Sequence, residues 1–152
     1  MTSREVRLTL PYTEPPEALR GNFRGHWSAR SAASKEARQN VLVVGQSLGL
    51  HRLPVKPAHV TVCLTWAPGD HRRRDPNNLA PFAKALADGF TPPRVIQRRV
   101  GGELRFTQYV GLGLVPDDEP RWMTQEASRI VPPPARGMWL DLTLDFGEEV
   151  AA

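Results

Sequence analysis

Residues 59–87 run HVTVCLTWAPGDHRRRDPNNLAPFAKALA, and this stretch decides the fold. His59–Trp66 is apolar and β-branched and reads as a strand. Pro68-Gly69-Asp70 ends it, and three arginines follow. Leu79–Ala87 then reads as a short helix, with Asn77 or Asn78 supplying an N-cap side chain and Gly89 the stop. The segment is strand, basic turn, helix.

Working outward, Val6, Leu8 and Leu10 alternate with polar residues, so Arg4–Leu10 reads as a strand. Pro11 to Gly25 holds three prolines and two glycines and reads as an ordered loop. Ser28–Leu48 reads as a helix, because Ala33, Ala37, Val41, Val44 and Leu48 recur at helical spacing before Gly49. Arg30 and Arg38 fall elsewhere on it, suited to a solvated face or to phosphate contact. Leu53–Ala58, with two prolines, is a connector.

Beyond the short helix, Pro92-Pro93 opens an excursion over 91–113. Arg94–Val100 and Glu103–Val110 flank Gly101-Gly102, which predicts a β-hairpin. Ile96, Val100, Leu104, Phe106 and Val110 form an apolar set suited to packing against the same subunit or a partner. Pro116–Pro120 is a loop, Trp122–Val131 a strand, and Pro132–Pro134 a break. In Met138–Phe146 every second residue is apolar, which predicts a final strand with one buried side. The tail Glu148–Ala152 is expected to fray. The fold class is α/β (α+β): a single domain over 1–152, a small mixed β-sheet packed with two helices, plus the inserted hairpin.

The chain has 152 residues, the size of one domain, with no internal repeat or dividing linker. Its formal charge of +4 is unevenly spread. Residues 1–60 carry 9 Lys and Arg against 4 Asp and Glu; residues 61–113 carry 8 against 4; residues 114–152 carry 3 against 8. A basic body with an acidic last third suits a polyanionic ligand that also meets carboxylates, and equally a solvated surface. Met1–Glu5 lacks the apolar stretch of a secretory signal. No apolar run reaches the roughly 18 residues of a membrane span, so a cytoplasmic location is expected. The single cysteine, Cys63, sits in the apolar run Val60–Trp66 and reads as a buried thiol. Trp27 reads as a packed anchor for the first helix rather than a DNA contact with His26. Trp66, Trp122 and Trp139 read as core or interface residues.

Two acidic sites stand out: Asp75-Pro76-Asn77-Asn78 after the arginines, and Asp117-Asp118-Glu119 between two prolines. Adjacent carboxylates repel one another, and loops that concentrate them often bind a hard cation. Mg²⁺ keeps several waters and needs few side-chain oxygens. The same residues also suit an Asx turn at Asp75–Asn78 and a solvated acidic turn at Asp117–Glu119.

The ordered set of motifs resembles the RusA-type Holliday-junction resolvases, the crossover junction endodeoxyribonucleases. That family has a strand, an Arg-rich stretch, Asp-x-Asp-Asn opening a helix with a Lys and an Asp four residues apart, and then an Asp-Asp pair. Here the corresponding residues are Arg72-Arg73-Arg74-Asp75-Pro76-Asn77-Asn78, Lys84 with Asp88, and Asp117-Asp118. Leu10-Pro11, Pro15-Pro16 and Asn22 match the N-terminal element.

The resemblance implies a homodimeric, Mg²⁺-dependent endonuclease, with Mn²⁺ as the alternative ion, that nicks four-way or branched DNA. Asp75, Asn77, Asp117 and Asp118 would be the metal-side residues. Asp75, Asp118 and Lys84 would be catalytic, with Lys84 at the scissile phosphate. Arg72, Arg73, Arg74, Arg98, Arg99 and Arg105 are expected to bind DNA. Three departures are present. Asn77 replaces an aspartate, three extra residues precede Lys84, and the 91–113 excursion stands where the family has a short turn. The first departure leaves a second reading, a relative that holds junction DNA with weakened or no cutting.

Overall fold

The computed structural model describes residues 2–147, so the expected fraying of Glu148–Ala152 lies outside it. In chain order the elements are β1 (Ser3–Thr9), α1 (Trp27–Ser47), β2 (His59–Ala67), α2 (Ala80–Asp88), β3 (Arg94–Val100), β4 (Glu103–Tyr109), β5 (Met123–Gln125), β6 (Arg129–Ile130) and β7 (Gly137–Asp145). Short 3₁₀ turns lie at Glu17–Leu19, Leu50–Arg52 and Pro76–Leu79. The architecture is the mixed α+β domain expected. Among the described residues no helix is long and apolar enough to cross a membrane.

The main sheet has the order β1-β7-β2-β5, with β6 also on β2. β7 lies antiparallel to both β1 and β2, while β5 and β6 run parallel to β2. Alternation in β7 decides which face is covered. Met138, Leu140, Leu142 and Leu144 are buried, and they join Leu8, Val60, Val62 and Leu64 beneath Ala37 and Val41 of α1 and Phe82 and Leu86 of α2. Truncating one of these leucines to alanine would cost roughly 2–5 kcal/mol. The opposite face is polar. There Arg7 pairs with Asp141 at 2.8 Å, and its guanidinium lies 4.9 Å from the Trp139 ring centre.

The segment Trp122–Val131 is not one strand. β5 pairs Val62 with Gln125, and β6 pairs Thr65 with Arg129. Two residues of β2, Cys63 and Leu64, thus face three residues, Glu126 to Ser128. The extra residue is a bulge in this outer strand. It turns the Ala127 carbonyl toward the buried Cys63 thiol at 3.6 Å, and burial pushes that thiol's pKa up.

The hairpin forms as expected, with Val100 opposite Glu103 and Arg94 opposite Tyr109. Gly101 and Gly102 have φ of 58° and 83°, the left-handed pair that matches a two-residue turn to strand twist. Its apolar residues do not pack inward as one set. Val95, Val100, Leu104 and Phe106 are exposed, Phe106 at 62%. The base, by contrast, is closed. Leu112, Gly113 and Leu114 donate backbone hydrogen bonds to Gly89, Thr91 and Phe90. A Cβ on Gly111 would lie 2.0 Å from the Thr91 carbonyl oxygen, so glycine permits the close approach.

Four expectations about α1 are corrected. Arg38 is not on a solvated face: it is 3% exposed and donates from Nε to the Val110 carbonyl at 2.8 Å and from Nη2 to that of Pro92 at 3.5 Å. Its guanidinium ties the hairpin base to the helix. Arg30 likewise donates to the Ala18 and Arg20 carbonyls, fixing the N-terminal loop. Trp27 is 65% exposed, because the first turn of α1 (Trp27, Ser28 and Ala29) lies outside the core. Leu48, expected in the inward stripe, is exposed at the helix end. Trp66 and Trp122 are partly buried against the core, as expected.

Candidate functional site

The turn after β2 is held by charge. Arg74 donates to both carboxylate oxygens of Asp70, at 2.5 and 3.0 Å, and stacks 4.8 Å from the Trp66 ring centre. The Asp70 carboxylate also accepts the Arg72 backbone N–H at 3.0 Å. With Arg74 contributing most, these contacts hold the Asp70 carboxyl far below the usual carboxylate range. Arg74 is thus committed to shaping the loop, while Arg72 and Arg73 are exposed.

Asp75 caps the turn that leads into α2. Its Oδ1 accepts the Asn77 N–H at 2.9 Å, with Pro76 in the first position of the 3₁₀ turn, whereas α2 itself starts after Leu79 without a side-chain cap, so neither Asn77 nor Asn78 supplies the cap expected of them. Proline after an aspartate was the available signal. The Asn78 carbonyl accepts the Gly21 N–H at 3.0 Å, which brings the N-terminal loop against this turn. The result is an open cleft of about 370 Å³ lined by Glu14, Arg20, Asn22, Trp66, Arg72 to Asp75 and Asn78. Asn22, some fifty positions before Asp75 and Asn78, therefore lines the same cleft as they do. Asn77 is exposed beside it.

The second cluster is centred on Lys84. Its Nζ donates to Asp88 Oδ1 at 2.6 Å, one helical turn on, and to Asp118 Oδ2 from the loop before β5. Asp117 is adjacent, and its Oδ1 accepts the Asp118 N–H at 2.7 Å. Burial lowers the Lys84 pKa, but the hydrogen bonds to Asp118 and Asp88 outweigh it and hold the ammonium above its ordinary value. Lys84 in turn holds the Asp118 carboxyl below its ordinary value, with help from Asp117. Asp88 is a site partner that the sequence reading placed only in the motif. Its i,i+4 spacing from Lys84 was the signal.

Lys84, Asp117 and Asp118 are thus brought together, and Asp75 sits with the arginine turn. Asp118 and Lys84 do not line the Asp75 cleft, and no hydrogen bond links Asp75 to Asp118 among the described residues. Arg98 and Arg105 are direct cross-strand neighbours on the hairpin face turned to α1, while Arg99 lies on the other face.

The donors at Asp75, Asn77, Asp117 and Asp118 are all oxygens, the right kind for Mg²⁺. Among the described residues no three Asp, Glu, His or Cys side chains gather into a cage. Mg²⁺ usually binds through one or two carboxylates, waters and substrate phosphate rather than a protein cage, so the oxygens of either place, Asp75 with Asn77 at the arginine turn or Asp117 with Asp118 beside Lys84, suit an ion bound together with a phosphate. No family model matches the chain, and no curated protein matches its sequence.

Proposed function

We propose that the protein is a metal-dependent, structure-selective endonuclease that nicks four-way or branched DNA, similar to the RusA-type resolvases and active as a homodimer. The observation that carries this reading is the convergence of Lys84 and Asp118. They belong to separate motifs of the ordered set, and the whole hairpin lies between them in the chain.

In this reading Asp75 and Asp118 hold Mg²⁺ or Mn²⁺, with Asn77 and Asp117 beside them. The bound ion supplies an activated water and charge stabilisation for phosphodiester hydrolysis. Lys84 already carries a stabilised positive charge, and that charge meets the scissile phosphate. Asp88 keeps the ammonium aimed along the cluster. Arg72 and Arg73 contact backbone phosphates, where basic side chains supply affinity without reading sequence. Arg74 acts through the loop it braces.

A second reading is favoured by Asn77, which stands where the family it resembles has an aspartate. On that reading the protein binds junctions and cuts them weakly or not at all. Nicking of a labelled four-way junction in Mg²⁺, with binding measured in parallel, separates the two. Binding with cutting supports the enzyme, and binding alone supports the relative without catalysis.

A further inference from the structure

Trp27 is the most exposed large apolar side chain among the described residues, at 65%. It lines a groove between α1, the end of α2 and the hairpin base. The groove measures about 310 Å³, and its lining includes Arg30, Asp88, Arg94 and Tyr109. From the hairpin, the Arg98 guanidinium lies 5.9 Å from the Trp27 ring centre, and the His26 ring lies 5.4 Å from it, tilted by 35°.

On the same hairpin face Arg98 lies directly opposite Arg105. Like charges placed opposite in a ladder are destabilising unless something between them is negative. The nearest acid on that face is Glu103, exposed and 3.7 Å from Arg105, too loose a pair to neutralise both arginines. Asp88, which also lines the groove, is already engaged by Lys84. An exposed flat ring beside two guanidinium groups that share one loosely held carboxylate suits an anion attached to another flat ring.

We propose that this shelf takes an unpaired nucleotide of a nucleic-acid strand, its base stacked on Trp27 and its phosphate between Arg98 and Arg105. The proposal rests on the branched-DNA reading for the nature of the polymer, and deepens it by adding a contact for the unstacked nucleotides found at a branch. Stacking on an aromatic side chain tolerates any base and adds to the electrostatic attraction. An acidic peptide would satisfy the arginines but would leave the ring unused.

The test is binding of a fluorescein-labelled dT12 oligonucleotide without divalent metal, with a blunt 12-base-pair duplex and polyglutamate as comparisons. Trp27→Ala should weaken dT12 binding by roughly tenfold or more, and Trp27→Phe should restore most of it. Duplex affinity should stay within about twofold for both variants. Arg98→Ala and Arg105→Ala should each reduce the salt slope of dT12 binding by about 0.7. Thermal unfolding confirms that each variant is folded. Unchanged dT12 binding in Trp27→Ala, equal loss on duplex, or polyglutamate competing as well as dT12 would overturn the proposal. Because no metal is present, cutting plays no part. Trp27-dependent dT12 binding by a protein that never nicks junctions would remove the nuclease reading and leave this one standing.

Discussion

Lys84 reaches from the middle of α2 to Asp118, 34 positions further along the chain, while the same ammonium holds Asp88 one helical turn away. Two acidic groups from distant segments are thereby tied to one cation on the surface of the short helix. The contact also anchors the loop before β5, just beyond the clamped base of the hairpin.

Lys84→Met removes that cation and leaves Asp88 and Asp118 facing one another. The groups are partly exposed, so urea denaturation should show a loss of only about 0.5–1 kcal/mol at pH 7. The pH profile is more informative. Asp118 has a folded pKa below its ordinary 3.8, so its contribution is present above pH 3.8 and lost as pH falls through the folded value. Lys84 has a folded pKa above its ordinary 10.5, so its contribution is present below pH 10.5 and lost as pH rises through the folded value. Thermal midpoints of Lys84→Met should therefore vary less with pH than the parent's in both wings. A variant with the parent's full acid and alkaline losses would show that the cluster is not what titrates.

Asp75 caps the turn before α2, and substitution separates that role from the ligand role that the nuclease reading proposes. Asp75→Ala loses the side-chain cap and should cost about 1 kcal/mol of stability, whereas Asp75→Asn keeps an accepting oxygen and should cost a few tenths. Chemical denaturation checks both. On the nuclease reading Asp75→Asn nonetheless loses nicking, because it removes a charged ligand. Full activity in Asp75→Asn would reduce Asp75 to a cap.

Arg38→Ala should destabilise the protein by roughly 1–3 kcal/mol, because it removes a buried side chain and leaves the partly buried Val110 carbonyl without its donor. Hydrogen exchange should quicken most at Leu112 and Gly113, whose amides close the hairpin base. Uniform quickening across β2 and β7 would mean instead that Arg38 supports the core as a whole.

Much of the fold was legible because period alone carries it. The alternation of Met138 to Leu144 gave β7 and its buried face, and Gly101-Gly102 between two β-rich runs gave the hairpin. The break in Trp122–Val131 was not legible, since the bulge opposite Cys63 and Leu64 depends on the register with β2 and not on the residues of β5 and β6. Arg38 and Trp27 misled for a related reason. An arginine on a helix suggests solvent until two carbonyls from a distant segment arrive above it, and a tryptophan suggests burial until its turn proves to overhang the core. At the site, the i,i+4 spacing signals the contact of Lys84 with Asp88, whereas the placing of Asp118 on that pair and of Asp75 at the arginine turn is seen only in the fold. The commitment of Arg74 to Asp70 and Trp66 needed the three-dimensional turn.

The central claim is cutting of branched DNA through the Asp118 cluster, and one Mg²⁺ titration of junction nicking tests it most directly, run on the parent, Asp118→Asn and Asn77→Asp. The account predicts that the parent nicks a four-way junction and spares linear duplex. Asp118→Asn should bind the junction without nicking it, and Asn77→Asp should reach the parent's rate at lower Mg²⁺, because it restores a charged oxygen. Junction binding with no nicks from either the parent or Asn77→Asp at any Mg²⁺ or Mn²⁺ concentration would contradict it, as would an Asp118→Asn variant that cuts as fast as the parent.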